Sequence, residues 1–138
     1  MPLPDPAPVT DVLVVGAGLA GTATVAELRR RGFTGSVRVL GAEPIAPYDR
    51  PPLSKKLLER DSPRWLADEI GADLLQLADD VRMVEPATGL DLSGRHPQVR
   101  TARAAYPART VVLASGSRAL TPAGWQGAAR LHTFADAA

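Results

Sequence analysis

Residues 11–21, DVLVVGAGLAG, decide the fold of this chain. Val12 to Val15 form an unbroken apolar run rich in valine, which predicts a strand buried on both faces of a parallel sheet. Three glycines follow within the next six residues, at Gly16, Gly18 and Gly21. A helix is predicted from this glycine-rich stretch to Arg31, and Gly32 is predicted to end it. The stretch therefore predicts a strand, a glycine-rich turn and a helix in direct succession.

The three glycines and a later acid carry the functional signal. Gly16 permits a tight turn, Gly18 lets main-chain amides approach a pyrophosphate, and Gly21 lets the helix pack closely on the strand. Glu43 follows roughly 20 residues later, after a second strand predicted from Val37, where a carboxylate can accept both hydroxyls of an adenosine ribose. Because this acid would repel a 2′-phosphate, FAD or NAD is favoured over NADP. The alternatives are a glycine-rich connection without a ligand and a solvated acid in a loop.

The composition excludes several other kinds of site. The chain has 138 residues with 16 Lys and Arg against 15 Asp and Glu, and a net charge of +1 creates no general field to attract nucleic acid or a membrane. The absence of cysteine excludes disulfides, thiolate zinc sites, iron–sulfur ligation and a redox dithiol within this chain. His96 and His132 have no ligand-like spacing, so no metal site is predicted. Any redox chemistry therefore needs a bound cofactor.

The length predicts one domain. Residues 1–9 contain four prolines and are expected to form a flexible leader, and residues 10–138 are expected to form a single domain. The sequence contains neither a secretory signal nor an apolar stretch of membrane-spanning length, which makes a cytoplasmic protein the expectation.

The remainder of the chain is predicted to alternate loops and short elements. Four prolines between Pro44 and Pro52 predict an extended loop, because each proline lacks an amide donor and disfavours helix before it. Short helices are then predicted over 54–60 and 63–70. Strands are predicted at 74–77, 81–84, 90–92, 99–102 and 110–114.

Several motifs together resemble one family. Residues 14–21 (VVGAGLAG), Glu43, residues 50–55 (RPPLSK) and residues 114–116 (ASG) are similar to the matching segments of FAD-dependent ferredoxin, putidaredoxin and rubredoxin reductases. These enzymes belong to the class with two dinucleotide-binding folds that also contains the disulfide reductases. The resemblance implies an α/β fold: a Rossmann-like, three-layer FAD/NAD(P)-binding domain with a parallel sheet and a β-meander, incomplete at its C-terminus.

The resemblance also implies roles for residues beyond the glycine motif. Arg50 is expected to hold the pyrophosphate or a ribose of FAD, and Lys55 to lie beside the flavin ring as the candidate catalytic residue. Val81 is expected to offer its main chain to the adenine. The cofactor-binding residues predicted in this way are Gly16, Ala17, Gly18, Leu19, Ala20, Gly21, Glu43, Arg50, Lys55, Val81, Ala114, Ser115 and Gly116.

The loop itself supports the resemblance, although the sequence departs from the family pattern at two positions. A loop stiffened by proline and carrying two cations suits a clamp on pyrophosphate and flavin, and the alternative is a basic surface loop braced by prolines. Ser115 replaces the usual threonine and keeps a hydroxyl. Pro107 replaces an aspartate before the last predicted strand, which predicts a shortened or irregular β-meander there.

The function implied by the resemblance is that of an NAD(P)H-dependent flavoprotein oxidoreductase. Such enzymes pass a hydride to flavin and single electrons to an iron–sulfur protein. The sequence contains one glycine fingerprint, so we expect the FAD-binding portion of a ferredoxin-reductase-like protein that is catalytically incomplete alone. It would be either a truncated product or one polypeptide of a split enzyme, in which a second polypeptide carries the NAD(P)H half, and a ferredoxin-type protein would be its partner. Two alternatives stay open: a stand-alone module for NAD or an adenine nucleotide, and a ligand-free remnant that acts in protein interaction.

Overall fold

A mixed six-stranded sheet organises the chain. The computed structural model describes residues 8–55 and 62–137. The strands are β1 (Thr10–Val15), β2 (Val37–Leu40), β3 (Asp80–Arg82), β4 (Ala87–Asp91), β5 (Gln98–Thr101) and β6 (Ala105–Leu113). The helices are α1 (Leu19–Arg30), α2 (Leu66–Glu69) and α3 (Leu74–Leu77), and 3₁₀ turns cover Pro51–Ser54 and Phe134–Asp136.

The sheet combines a parallel part with an antiparallel meander. Its strand order is β3-β2-β1-β6-β5-β4. The neighbours β3, β2, β1 and β6 run parallel to one another. Strand β5 pairs antiparallel with both β6 and β4. The nine-residue strand β6 belongs to both parts, because residues 105–107 pair with β5 and residues 108–113 lie along β1. The predicted parallel sheet and β-meander are therefore confirmed.

Strand β1 is buried on both faces because its side chains alternate between two cores. On one face, β1 and β2 pack against α1 and α3. The buried residues of this first core are Val12, Val14, Val25, Val37, Val39 and Leu74. On the other face, the meander covers the sheet. The buried residues of this second core are Leu13, Val15, Leu40, Val99, Tyr106 and Ala108. Helices, parallel sheet and meander thus form the three predicted layers.

The predicted strand at 74–77 is wrong, because these residues form the helix α3. Asp73 caps this helix by accepting a hydrogen bond from the Leu75 N–H at 3.1 Å. Leu74 is fully buried and Leu77 packs against the same core, which is the i, i+3 spacing of a helical face. A run of four apolar-rich residues is too short for its periodicity to separate helix from strand.

Two further expectations also need correction. The helix predicted over 63–70 begins only at Leu66, because Trp65 forms a β-bridge with Tyr48 instead. Strand β6 runs straight through Pro107, so the meander is not shortened there, and its irregularity is a bulge between Ala87 and Gly89. Only the start of the helix predicted over 54–60 falls in the described part, where it is a 3₁₀ turn, and the predicted leader lies largely outside that part.

The glycine that ends α1 behaves as predicted. Gly32 has a φ of +80° and donates its N–H to the carbonyl of Arg29 at 2.9 Å. Across the described residues, no helix has the length and apolar character that crossing a bilayer requires.

Candidate functional site

A cleft of about 310 Å³ lies at the carboxyl ends of β1, β2 and β6. Ligands of open α/β sheets bind at this edge, where loops leave the parallel strands. Ten of the residues predicted to bind the cofactor line this cleft. They are Gly16, Ala17, Gly18, Leu19, Ala20, Glu43, Arg50, Ala114, Ser115 and Gly116.

The three glycines of the fingerprint differ in what surrounds them. Gly16 has a φ of +112°, and a Cβ atom there would lie 2.1 Å from the carbonyl oxygen of Ala114. A Cβ atom at Gly21 would lie 1.9 Å from the carbonyl oxygen of Gly16. Gly18 has nothing within 4 Å of such an atom. Gly16 and Gly21 therefore serve close main-chain packing, whereas Gly18 faces open space.

The start of α1 fits an anion. Gly18 is its N-cap residue, no side chain caps the helix, and its first turn contains no acidic residue. The first N–H groups of a helix have no partner within the helix and form the positive end of its dipole. Residues 114–116 line the cleft beside these groups. A pyrophosphate fits this position because it would meet main-chain donors with no Cβ atom at Gly18 to block its approach.

Glu43, Tyr48 and Arg50 form a hydrogen-bonded cluster in the same cleft. The Tyr48 hydroxyl donates to Glu43 Oε2 at 2.6 Å, and Arg50 Nη2 donates to Glu43 Oε1. The Arg50 guanidinium also lies 5.6 Å from the centre of the Tyr48 ring. Burial and the bond to Glu43 raise the pKa of Tyr48 to about 12, so its hydroxyl stays protonated at neutral pH.

A segment near the end of the chain contacts this cluster. Arg50 Nη1 donates to the main-chain carbonyl of His132 at 2.6 Å, and the Phe134 N–H donates to the Tyr48 hydroxyl at 2.9 Å. The rings of Tyr48 and Phe134 meet edge to face, with centroids 6.3 Å apart. A capping box between Thr133 and Asp136 fixes the local turn. Residues 132–136, called the C-terminal segment below, thus dock against the cleft.

Three predicted cofactor-binding residues lie outside the lining of the cleft. Gly21 packs beneath it against β1. Val81 packs against the first core, and Met83, two residues later, lines the cleft instead. Lys55 is exposed and caps the 3₁₀ turn Pro51–Ser54. The roles expected for Val81 and Lys55 stay predictions.

The sequence predicts no role for three residues that line the cleft, Tyr48, Met83 and His132. Tyr48 had a signal, since it is one of only two tyrosines in the chain and lies two residues before Arg50. Met83 follows the predicted adenine contact by two residues. His132 had no signal, because it contacts Arg50 through its main chain across 82 positions of sequence.

Comparisons of sequence connect the chain with known reductases. The family model of pyridine nucleotide-disulphide oxidoreductases matches residues 10–138. The chain is 37% identical over 139 residues to a probable ferredoxin reductase, CtmF, of Castellaniella defragrans, covering 91% of this chain and 32% of that protein. It is 39% identical to the terpredoxin reductase of a Pseudomonas species, covering 76% of this chain and 25% of that protein.

Solved structures agree with these relatives. The crystal structure of Fdr9 superposes with a TM-score of 0.77 at 35% identity, covering 94% of this chain and 32% of that chain. The covalent putidaredoxin reductase–putidaredoxin complex gives a TM-score of 0.62 at 28% identity, covering 93% and 32%. The chain therefore spans a third or less of the length of these proteins. The fold and the resemblance predicted from sequence are confirmed.

Proposed function

This chain belongs to the pyridine nucleotide-disulphide oxidoreductase family, and from that premise we propose that its cleft binds the adenosine diphosphate half of FAD. FAD is the cofactor of the ferredoxin reductases in this family. The observation that carries the proposal is the open face of Gly18 at the uncapped start of α1, with Glu43 in the same cleft.

The pyrophosphate is assigned to the start of α1. Main-chain N–H groups of the first turn donate to its oxygens, and the absence of a side chain at Gly18 allows close approach. The lack of an acidic residue in this turn supports the assignment, because a carboxylate would repel the anion. Ser115 and Gly116 border the same space.

The adenosine ribose is assigned to Glu43. A carboxylate has about four acceptor positions, and Tyr48 and Arg50 occupy two of them, which leaves two for the ribose hydroxyls. Arg50 offsets the negative charge of Glu43 and stays close enough to the ribose to support the predicted clamp. The same carboxylate disfavours a 2′-phosphate, so a nucleotide without that group is preferred.

The wider activity is proposed from the same premise. Bound FAD would supply hydride acceptance and single-electron transfer. We infer that this chain forms the FAD-binding part of a ferredoxin-reductase-like NAD(P)H oxidoreductase that is catalytically incomplete alone. The NAD(P)H half, on a second polypeptide or on further residues of the same protein, would lie outside these 138 residues. A ferredoxin-type protein would take the electrons, and Lys55 would lie beside the flavin. A cytoplasmic location stays a prediction.

Titration with FAD tests the proposal. We expect FAD fluorescence to change on binding to the protein, and the Gly18→Val variant to bind FAD more weakly by roughly tenfold or more. Gly127→Val is the matched control, since a Cβ atom at Gly127 also meets nothing within 4 Å and this glycine does not line the cleft. Equal FAD affinity in the wild type and Gly18→Val would contradict the assignment.

A second candidate function is a module for NAD or an adenine nucleotide without redox chemistry. The cleft supports it, because the groups assigned to a ligand there would contact only the adenosine diphosphate part, which NAD and ADP-ribose share with FAD. The two functions differ in ligand preference. If ADP-ribose raises the melting temperature as much as FAD does, the adenine-nucleotide module is supported, whereas a marked preference for FAD supports the flavoprotein.

A further inference from the structure

Tyr48 connects two parts of the molecule that lie far apart in sequence. Its hydroxyl donates to Glu43 Oε2 at 2.6 Å and accepts from the Phe134 N–H at 2.9 Å. The residue is 5% exposed, so water competes little for either bond. One oxygen atom therefore joins the carboxylate of the cleft to the C-terminal segment.

We propose that Tyr48 is a positioning residue that couples docking of the C-terminal segment to the orientation of Glu43. The inference rests on the proposed nucleotide site and adds a device to it. When the segment is docked, Glu43 is held in the orientation that accepts ribose hydroxyls. Because coupling of two binding events is reciprocal, a ribose on Glu43 also stabilises the docked segment.

The geometry of the phenol explains the coupling. A tyrosine hydroxyl has one proton, and here that proton is directed at a carboxylate oxygen. Donation to an ionised acceptor polarises the O–H bond, which makes the same oxygen a better acceptor for the Phe134 N–H. Loss of either bond therefore weakens the other.

Arg50 supplies a second connection in parallel with the first. Its Nη2 donates to Glu43 while its Nη1 donates to the His132 carbonyl at 2.6 Å. Glu43 and the C-terminal segment are consequently joined by two hydrogen-bonded bridges, one through Tyr48 and one through Arg50. Removing the Tyr48 hydroxyl leaves the Arg50 bridge intact, so the expected effect is a partial loss of orientation rather than loss of the site.

Discrimination between ADP and 2′-deoxy-ADP tests the inference. The wild type is expected to bind ADP more tightly, because 2′-deoxy-ADP lacks one hydroxyl for Glu43. In Tyr48→Phe we expect this preference to fall about three- to tenfold. The affinity for 2′-deoxy-ADP should fall less than that for ADP, because this nucleotide keeps only one hydroxyl for Glu43. The matched control is Tyr106→Phe, since Tyr106 also donates to a glutamate, Glu85, at 2.6 Å but does not line the cleft.

Two substitutions at Phe134 separate its N–H from its ring. Phe134→Pro removes both, whereas Phe134→Ala removes only the ring. Proline suits this site because Thr133 before it is extended (φ −115°, ψ 165°) and Phe134 is the first residue of a 3₁₀ turn. We expect the proline variant to lose more of the preference for ADP than the alanine variant. We also expect ADP to slow amide exchange in residues 132–136 of the wild type and to do so less in Tyr48→Phe.

The possible outcomes distinguish the inference from the function on which it rests. A wild type that binds neither nucleotide overturns the proposed site and the coupling together. A wild type that binds both equally overturns the role of Glu43, and with it the coupling, but keeps an anion site at α1. An unchanged preference in both Tyr48→Phe and Phe134→Pro overturns the coupling alone.

Discussion

At the scale of single residues, the three glycines of the fingerprint differ in whether close packing of the main chain requires them. Gly16 and Gly21 are required by the protein itself, since a Cβ atom at either would overlap a main-chain carbonyl. Gly18 meets no such neighbour, so packing does not require a glycine there, and we assign its open face to the proposed pyrophosphate. The sequence predicts all three positions, but only the structure shows which two the packing requires.

The first residue-scale prediction concerns Gly21. Gly21→Ala is expected to lower the free energy of unfolding by about 1–3 kcal/mol, because the new methyl group would displace the Gly16 carbonyl from the α1–β1 contact. Gly18→Ala is the control and should cost less than about 1 kcal/mol. Urea denaturation measures both, and equal losses would contradict the division between packing and binding glycines.

At the scale of elements, Glu85 ties the meander to the parallel sheet. Its carboxylate accepts hydrogen bonds from Tyr106 of β6 at 2.6 Å and Thr101 of β5 at 2.9 Å. Its N–H donates to the Gly41 carbonyl, directly after β2, at 2.8 Å. The hydrogen bond from Tyr106 is the main reason why the pKa of Glu85 lies below its usual value of 4.5. One buried acid thus connects β5 and β6 to the residue that follows β2.

The pKa of Glu85 leads to a prediction on pH. A pKa lowered by folding means that the contribution to stability is present above pH 4.5 and is lost as the pH falls through the folded value. The urea midpoint of Glu85→Gln should therefore depend less on pH below 4.5 than that of the wild type. Tyr106→Phe should reduce the dependence in the same direction. Parallel pH profiles for the wild type and Glu85→Gln would count against this role.

The elements were predicted correctly where a glycine-rich turn followed the apolar run, and wrongly where four apolar-rich residues had no such turn beside them. The apolar run Val12–Val15 and the glycines after it fix β1 and α1, because burial on both faces and a glycine-rich turn leave few alternatives. Residues 74–77 offer only four positions, and capping by Asp73 made them a helix. The hydrogen bond from Arg50 to His132 could not be predicted, because it uses a main-chain carbonyl, which every residue has.

At the scale of the whole molecule, we expect FAD binding and catalytic turnover to be separable. The cleft accounts for one proposed nucleotide site within the described residues, and the 138 residues contain one glycine fingerprint. We expect the chain, loaded with FAD, to be reduced by dithionite but not by NADH at a catalytic rate. Loss of the visible flavin absorbance measures both reactions. Rapid reduction by NADH alone would refute the inference that these 138 residues are catalytically incomplete by themselves.

Strand β6 has a consequence for how the molecule comes apart. Its first third is hydrogen-bonded to β5 and the rest to β1. Separation of the meander from the parallel layer would therefore disrupt β6, which both of them share. The two layers should melt as one cooperative unit, and the slowest amide protons of β1 and β5 should exchange through the same global opening.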